Sequence, residues 1–150
     1  MAFKNGNTGQ GIKALDEMIV ELKKLPGIVE KTATRLAYFI LRQPENFAWD
    51  LSASIKNARE KLHSCSQCCT FTEEATCDIC NNPERSDEIL CVVEEPSDVM
   101  AFEKSRQFNG KYHVLHGSLS PLDGIDEGKL KIRELQSRIK QGLVKEVVLA

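Results

Sequence analysis

Two pairs of cysteines constrain this chain more than any other feature. Cys65 and Cys68 form one Cys-x-x-Cys pair, Cys77 and Cys80 form a second, and eight residues separate the pairs. Each pair can place two thiolates at adjacent corners of a tetrahedron, and four sulfur ligands with no open position suit Zn²⁺. Such a closed site is structural, so residues 63–84, called here the cysteine module, are predicted to be a small zinc finger holding one Zn²⁺ ion per chain.

Other roles for the cysteines stay open from the sequence alone. The pairs can also be read as redox-active, although two evenly built pairs in a chain without a secretory signal favour metal binding. Cys69 can replace Cys68 as a ligand, although the Cys-x-x-Cys spacing favours Cys68. Cys91 lies in an apolar run and is interpreted as a core residue.

The composition argues against a membrane-spanning or secreted protein, and it does not by itself indicate nucleic-acid binding. The 150 residues are 41% apolar and 28% charged with a net charge of −2, so any contact with nucleic acid must come from a local patch. No apolar run approaches the roughly 18 residues of a membrane span. Residues 1–12 are polar and rich in Gly and Asn, and we expect a disordered lead-in, not a secretory signal, in a cytoplasmic protein.

Residues 13–62 carry three amphipathic helical patterns. The first covers Ala14 to Leu25 and ends at Pro26-Gly27, because proline cannot donate its N–H and disfavours helix in the residue before it. The second is predicted from Glu30 to Leu41 and the third from Phe47 to Leu62. One stripe of the third helix is apolar and consists of Leu51, Ile55, Ala58 and Leu62.

The break in "KKLPGIVEKTATRLAYF" is typical of a helix-hairpin-helix element. Backbone N–H groups at such a turn and at the start of the second helix can face a phosphate. Lys31 and Arg35 are four residues apart and therefore share a face of the helix. An element of this kind contacts the nucleic-acid backbone and not the bases. Spacing alone is equally compatible with an ordinary helical hairpin whose charges are solvated.

Residues 85–150 alternate between strand and helix patterns. "EILCVVEE", "KYHVLHG" and "EVVLA" are predicted to be strands of a parallel sheet, and "PSDVMAFEKS" and "GKLKIRELQSRIKQG" its crossover helices. The first and last strands have the pattern of buried strands. Three strands and two helices make an incomplete sheet, so we expect this to be part of a larger α/β domain.

Acidic and histidine side chains follow the strands without forming a recognisable catalytic set. Glu94 and Glu95 stand at the carboxyl end of the first strand, where α/β sheets place their sites, but Mg²⁺ usually needs further ligands. A solvated pair of glutamates is therefore the favoured interpretation. His113 and His116 can be read as catalytic, yet His113 lies within a strand and is interpreted as structural. No catalytic residue is predicted.

Four segments, in this order, resemble the RecR family of bacterial recombination mediators. They are "LKKLPGIVEKTATRLA", the four-cysteine module, "VVEEPSDVMAFEKS" and "YHVLHGSLSPLDGI", and the resemblance extends from about Leu15 to Ala150. It implies an α+β protein of several modules: a helical helix-hairpin-helix domain at residues 13–62, a four-cysteine zinc finger at 63–84, and a partial Toprim domain with a parallel sheet at 85–150.

The resemblance also implies a function. RecR proteins are non-enzymatic, form dimers and ring-like tetramers, bind single- and double-stranded DNA, and act with RecO and RecF to load RecA on single-stranded gaps. A cytoplasmic, nucleoid-associated location without membrane contact follows. The alternatives are a Toprim-type Mg²⁺-dependent nuclease or phosphotransfer enzyme that uses Glu94, and a protein-interaction module whose DNA binding has decayed.

The family's functional positions map onto particular residues of this chain. The implied DNA contacts are Lys31 and Arg35 together with Lys23, Lys24 and Gly27; the implied zinc ligands are Cys65, Cys68, Cys77 and Cys80; the implied acidic partner surface is Glu94, Glu95 and Asp98. The family hairpin usually reads Gly-Ile-Gly-Pro, whereas this chain has Val29 and Glu30 in the last two places. A valine does not readily adopt positive φ and a glutamate repels phosphate, so a shifted turn or a weaker DNA contact is expected.

Overall fold

The computed structural model describes residues 11–120, 124–126 and 128–150. Most of the predicted lead-in, residues 1–12, lies outside these ranges. The chain divides into two compact units, Met1–Asn57 and Ala58–Ala150. Within the described ranges, no helix combines the length and the apolar character that crossing a membrane requires.

The first unit is helical, as the sequence predicts. Helix α1 covers Lys13–Lys23, α2 covers Glu30–Arg42, and α3 covers Glu45–Lys61 and continues into the second unit. Helices α1 and α2 pack against each other. Ala33 and Ala37 of α2 are fully buried, and they share one face of the helix because they are four residues apart.

Helix α3 carries an apolar face that the described residues leave exposed. Leu51, Ile55 and Ala58 of the predicted stripe lie on the helix, Leu62 follows its last residue, and α3 buries none of its residues. Leu51 is 41% exposed and Ile55 is 64% exposed. At its first turn, Phe47 contacts Phe39 of α2 edge to face, with ring centroids 5.9 Å apart.

The second unit begins with the cysteine module. Strand β1 (His63–Ser64) pairs in antiparallel orientation with β2 (Phe71–Thr72), and the short helix α4 covers Asp78–Asn81. The strands are only two residues long, so this segment has little regular structure of its own. Its interior consists of the side chains of Cys65, Cys68, Cys77 and Cys80, with Ile79 packed against them.

A parallel three-stranded sheet forms the rest of the second unit. Its strands are β3 (Ile89–Val93), β4 (Lys111–Val114) and β5 (Glu146–Leu149), in the spatial order β4-β3-β5. Helix α5 (Pro96–Ser105) connects β3 to β4, and α6 (Ile132–Lys140) lies between β4 and β5. The predicted β-α-β-α-β order and the parallel pairing are confirmed.

Burial is unequal among the three strands. Residues Leu90 to Val93 of β3 and all four residues of β4 are buried, as expected of strands covered on both faces. The prediction that β5 is buried is wrong: all four of its residues are exposed, and Leu149 is 79% exposed. Strand β5 pairs with β3 along one edge, and its faces are only partly covered within the described ranges.

Candidate metal centre and nucleic-acid interface

The four predicted metal ligands converge on one point. The sulfur atoms of Cys65, Cys68, Cys77 and Cys80 all lie within 4.8 Å of one another, and all four residues are buried. The Sγ atoms of Cys68 and Cys77 are 3.6 Å apart. A tetrahedron with Zn–S bonds of about 2.3 Å has S···S edges of about 3.8 Å. The cluster therefore fits a metal ion of the size and ligand preference of Zn²⁺.

Electrostatics inside the cluster favours a bound cation. The hydrogen bond from the Cys68 thiol lowers the pKa of Cys77 to about 2, whereas this same contact, with burial, raises the pKa of Cys68. One thiolate thus forms readily and opposes ionisation of its neighbours. The backbone N–H groups of Gln67 and Cys77 donate to Cys65 Sγ over 3.5 and 3.3 Å. A divalent cation would remove the repulsion and let all four sulfurs ionise.

Cys69 lies outside the sulfur cluster. It is buried, but the group of mutually close sulfurs contains only the four cysteines of the two pairs, among the residues that are described. Its backbone adopts φ = 64°, which is uncommon for a residue other than glycine. This left-handed conformation turns the chain after Cys68. The geometry therefore favours Cys68 over Cys69 as the ligand.

The first cysteine knuckle is held to the sheet by three consecutive backbone carbonyls, which we call the carbonyl clamp. The Val114 N–H donates to the carbonyl oxygen of Cys68 over 2.8 Å, and Nε2 of His116 lies 2.6 Å from that of Cys69. Arg138 Nη1 of α6 donates to the Gln67 carbonyl over 3.4 Å and to the Tyr112 carbonyl over 2.7 Å. The module is thus anchored to β4, to the loop that follows it, and to α6.

Both histidines of the second strand motif have structural contacts. His113 is fully buried, and its Nε2 donates to the Lys131 carbonyl over 2.8 Å. Its Nδ1 has no hydrogen-bond partner among the described residues. Burial lowers the pKa of His113 and keeps the ring neutral, which is the form this environment accommodates. These contacts agree with the structural interpretation of His113.

In the turn between α1 and α2, the residue with positive φ is a glycine. Gly27 has φ = 78°, and the Ile28 N–H donates to the Leu25 carbonyl over 3.1 Å. Val29 precedes α2 in an extended conformation with φ = −87° and ψ = 165°. The expected conflict between a β-branched side chain and a positive φ at Val29 is therefore wrong for this turn. Its side chain is 64% exposed at the start of α2.

The hairpin's cations differ in their surroundings. Lys31 and Arg35 are exposed on α2, and neither has an ion-pair partner within the part of the chain described. Lys23 Nζ is 2.9 Å from Glu30 Oε2, and Lys24 Nζ is 2.6 Å from Glu21 Oε1. The hydrogen bond from Lys23 lowers the pKa of Glu30, so this carboxylate is ionised at neutral pH.

The three acidic candidates after β3 lie beside the start of α5, where a hydrogen bond joins two of them. Glu94 and Glu95 are exposed, and the Glu95 N–H donates to Asp98 Oδ2 over 2.8 Å at the start of α5. Asp98 therefore caps a helix, which satisfies an N–H group with no partner inside the helix. The Glu94 carbonyl accepts from the Gly117 N–H over 2.9 Å, so the loop after β4 runs beside this acidic edge.

Sequence reasoning missed two features of these sites. The carbonyl clamp is made largely by main-chain atoms, which leave no signature in a pattern of residue types. The Lys23–Glu30 ion pair joins residues seven apart across a turn, outside the helical spacings used to look for pairs. Opposite charges on both sides of a tight turn were the only available signal.

Comparisons with known proteins match both units. A family described as "RecR, helix-hairpin-helix" matches residues 15–59, and the Toprim domain family matches residues 88–150. The Recombination protein RecR of Myxococcus xanthus is 48% identical over 136 residues, which cover 91% of this chain and 69% of that protein. The proteins of the same name from Syntrophotalea carbinolica and Bdellovibrio bacteriovorus are 50% identical over 137 residues and 46% identical over 145 residues. These alignments cover 91% and 93% of this chain, and 69% and 71% of the relatives.

Proposed function

The chain belongs to the RecR family of recombination proteins, and from this premise we propose that it is a non-enzymatic, DNA-binding mediator of recombination in DNA repair. In this role it holds DNA by the backbone and helps other proteins to assemble at single-stranded gaps. Its relatives carry the name of a recombination protein, and the helical unit matches that family's helix-hairpin-helix.

The observation that carries the proposal is the pair of exposed cations on α2. Lys31 and Arg35 lie one helical turn apart near the start of α2, next to a turn built on Gly27. The first N–H groups of α2 have no partner inside the helix and attract anions. A backbone phosphate can thus meet two cations and a helix N-terminus together. Lys23 and Lys24 lie on the other side of the same turn.

The cysteine module serves this function as a structural element. Cys65, Cys68, Cys77 and Cys80 would hold one Zn²⁺ ion, which joins a segment with little regular structure into one folded unit. Four sulfur ligands leave no position for a substrate or a water molecule. The ion therefore organises the protein and takes no part in a reaction.

The remaining parts of the proposal concern catalysis and partners. Asp98 is used as a cap of α5 and the Glu94 and Glu95 side chains are exposed, which supports a protein-contact role over Mg²⁺-dependent chemistry. We assign Glu94, Glu95 and Asp98 to the acidic surface that contacts partner proteins of the RecO and RecF type. The exposed apolar faces of α3 and β5 support a homo-oligomer, a dimer or a tetramer. The protein would act in the cytoplasm at the nucleoid.

Removal of both α2 cations tests the proposed DNA contact. The Lys31→Ala/Arg35→Ala variant should bind a labelled single-stranded oligonucleotide more weakly than the original chain. The slope of log affinity against log salt should become shallower by about 0.7 for each lost phosphate contact. Arg42→Ala, which removes a cation from the opposite end of α2, is the control. The proposal fails if the double variant binds with the same affinity and slope as the control.

A further inference from the structure

The hairpin contains two classes of cation. Lys31 and Arg35 are open to solvent without an acidic partner among the described residues, whereas Lys23 and Lys24 are each held by a carboxylate within 2.9 Å. Four cations lie at this turn, and two of them already form ion pairs with glutamates. The hairpin therefore offers an incoming phosphate fewer available charges than its residue types indicate.

The two ion pairs are placed differently. Lys24 and Glu21 are three residues apart at the end of α1, so their contact is local. Lys23 and Glu30 join the last residue of α1 to the first residue of α2, across the turn. The Glu30 carboxylate thus occupies Lys23, a cation of the turn that an anionic ligand would otherwise contact. It is bound by a lysine and is located at the N-terminus of a helix, both of which stabilise negative charge.

We infer that Glu30 is an internal competitor for the hairpin's phosphate site, which a DNA backbone must displace to reach Lys23. The inference rests on the proposed function and adds a residue that limits the affinity of the hairpin for DNA. In the free protein, Glu30 neutralises Lys23, and contact with DNA is carried by Lys31 and Arg35. Removing the carboxylate makes Lys23 available as a third contact.

The size of the effect follows from the exposure of the pair. The Glu30 side chain is 77% exposed and that of Lys23 is 41% exposed, so the contact is weak and can be exchanged for another. Replacement of Glu30 by Gln should therefore raise affinity for a single strand about two- to fivefold at low salt. One additional phosphate contact should make the salt slope steeper by about 0.7.

A matched pair of variants separates this local competition from a general change of charge. Glu30→Gln and Glu17→Gln each remove one negative charge, but Glu17 pairs with Lys13 at the other end of α1. Binding of both variants to a fluorescein-labelled single-stranded oligonucleotide of mixed sequence is measured by anisotropy between about 50 and about 200 mM salt. Glu30→Gln should bind more tightly with a steeper slope, and Glu17→Gln should retain the original slope.

A second background tests the role of Lys23 itself. In a Lys23→Ala chain, Glu30→Gln should leave the salt slope unchanged, because there is no lysine to release. Glu30→Ala replaces Glu30→Gln if the latter shows a lower melting temperature.

The outcomes distinguish the inference from the function on which it rests. Equal effects of the two glutamate variants, or no effect of Glu30→Gln, would overturn the competition while leaving the DNA contact intact. If neither the original protein nor any variant binds the oligonucleotide, the proposed function is refuted, and the competition with it.

Discussion

The Glu103 carboxylate accepts hydrogen bonds from two side chains, Arg85 and Tyr112. Arg85 Nη1 donates to its Oε1 over 2.9 Å, and the Tyr112 hydroxyl donates to this oxygen over 2.7 Å. The hydrogen bond from Arg85 lowers the pKa of Glu103, while burial and the nearby carboxylate raise the pKa of Tyr112 well above its ordinary value. The three residues link the segment after the cysteine module to α5 and β4.

Because the pKa of Tyr112 is raised, the folded protein should lose stability as pH rises into the alkaline range. In the unfolded chain, tyrosine ionises near pH 10, whereas the folded protein keeps Tyr112 protonated. Its contribution is therefore complete below about pH 10 and is lost as pH rises, at up to about 1.4 kcal/mol per pH unit. The free energy of unfolding of the original chain should fall in this range more steeply than that of Tyr112→Phe.

Cysteine ionisation contributes equally to both proteins and cancels in this comparison. In a Tyr38→Phe chain, Tyr112 is the single tyrosine, and its tyrosinate absorbance should appear only well above pH 10. Parallel pH curves for the original chain and Tyr112→Phe would contradict the assignment.

Among the structural elements, the cysteine module depends most on a bound metal ion for its folded structure. Its strands are two residues long, and its interior consists mainly of sulfur. The carbonyl clamp connects the first knuckle to β4, to His116 in the following loop and to Arg138 in α6. A metal ion that fixes the knuckle therefore also fixes the loop beside Glu94.

Loss of a metal ligand should accordingly be felt in that loop. Cys65→Ser is expected to remove Zn²⁺, because three thiolates hold it poorly, and to speed amide hydrogen exchange in the loop at residues 115–120. Cys69→Ser, which changes a buried thiol outside the sulfur cluster, should retain one Zn²⁺ per chain. Elemental analysis and hydrogen exchange measure the two effects. Equal zinc loss in both variants would contradict the ligand assignment.

The sequence predicts elements better than it predicts their contacts. The helices of residues 13–62 and the β-α-β-α-β succession of residues 85–150 follow from periodicity and residue type, and the structure has these elements in the predicted succession. The convergence of the four cysteines follows from their spacing. The exposure of β5 could not be predicted, because an apolar strand pattern does not state what covers it. The cap formed by Asp98 and the ion pair of Glu30 likewise depend on where a turn directs a side chain.

At the scale of the whole chain, each unit presents an apolar surface to solvent. Leu51 and Ile55 are exposed on α3 of the first unit, and Val147 and Leu149 are exposed on β5 of the second. Side chains of this kind along one face are typical of surfaces that associate with other protein.

A charge placed on the α3 surface should reduce self-association. Ile55→Glu is expected to lower the solution mass measured by light scattering, because a carboxylate in an apolar contact is costly to desolvate. Asn57→Glu adds the same charge about 200° around the helix and should have little effect. Measuring the mass with and without a single-stranded oligonucleotide also shows whether DNA promotes assembly. An unchanged mass for Ile55→Glu would exclude α3 from the association surface.

The carbonyl clamp has a consequence for how this module can diverge. Every amino acid has a backbone carbonyl, so Gln67 and Cys69 can be substituted freely as far as their hydrogen bonds to the sheet are concerned. At Cys69 the limit is set by the left-handed backbone, which glycine and asparagine tolerate better than most residues. Substitution at this position is thus restricted by the conformation of the main chain and by burial of the side chain, and not by the hydrogen bond to His116.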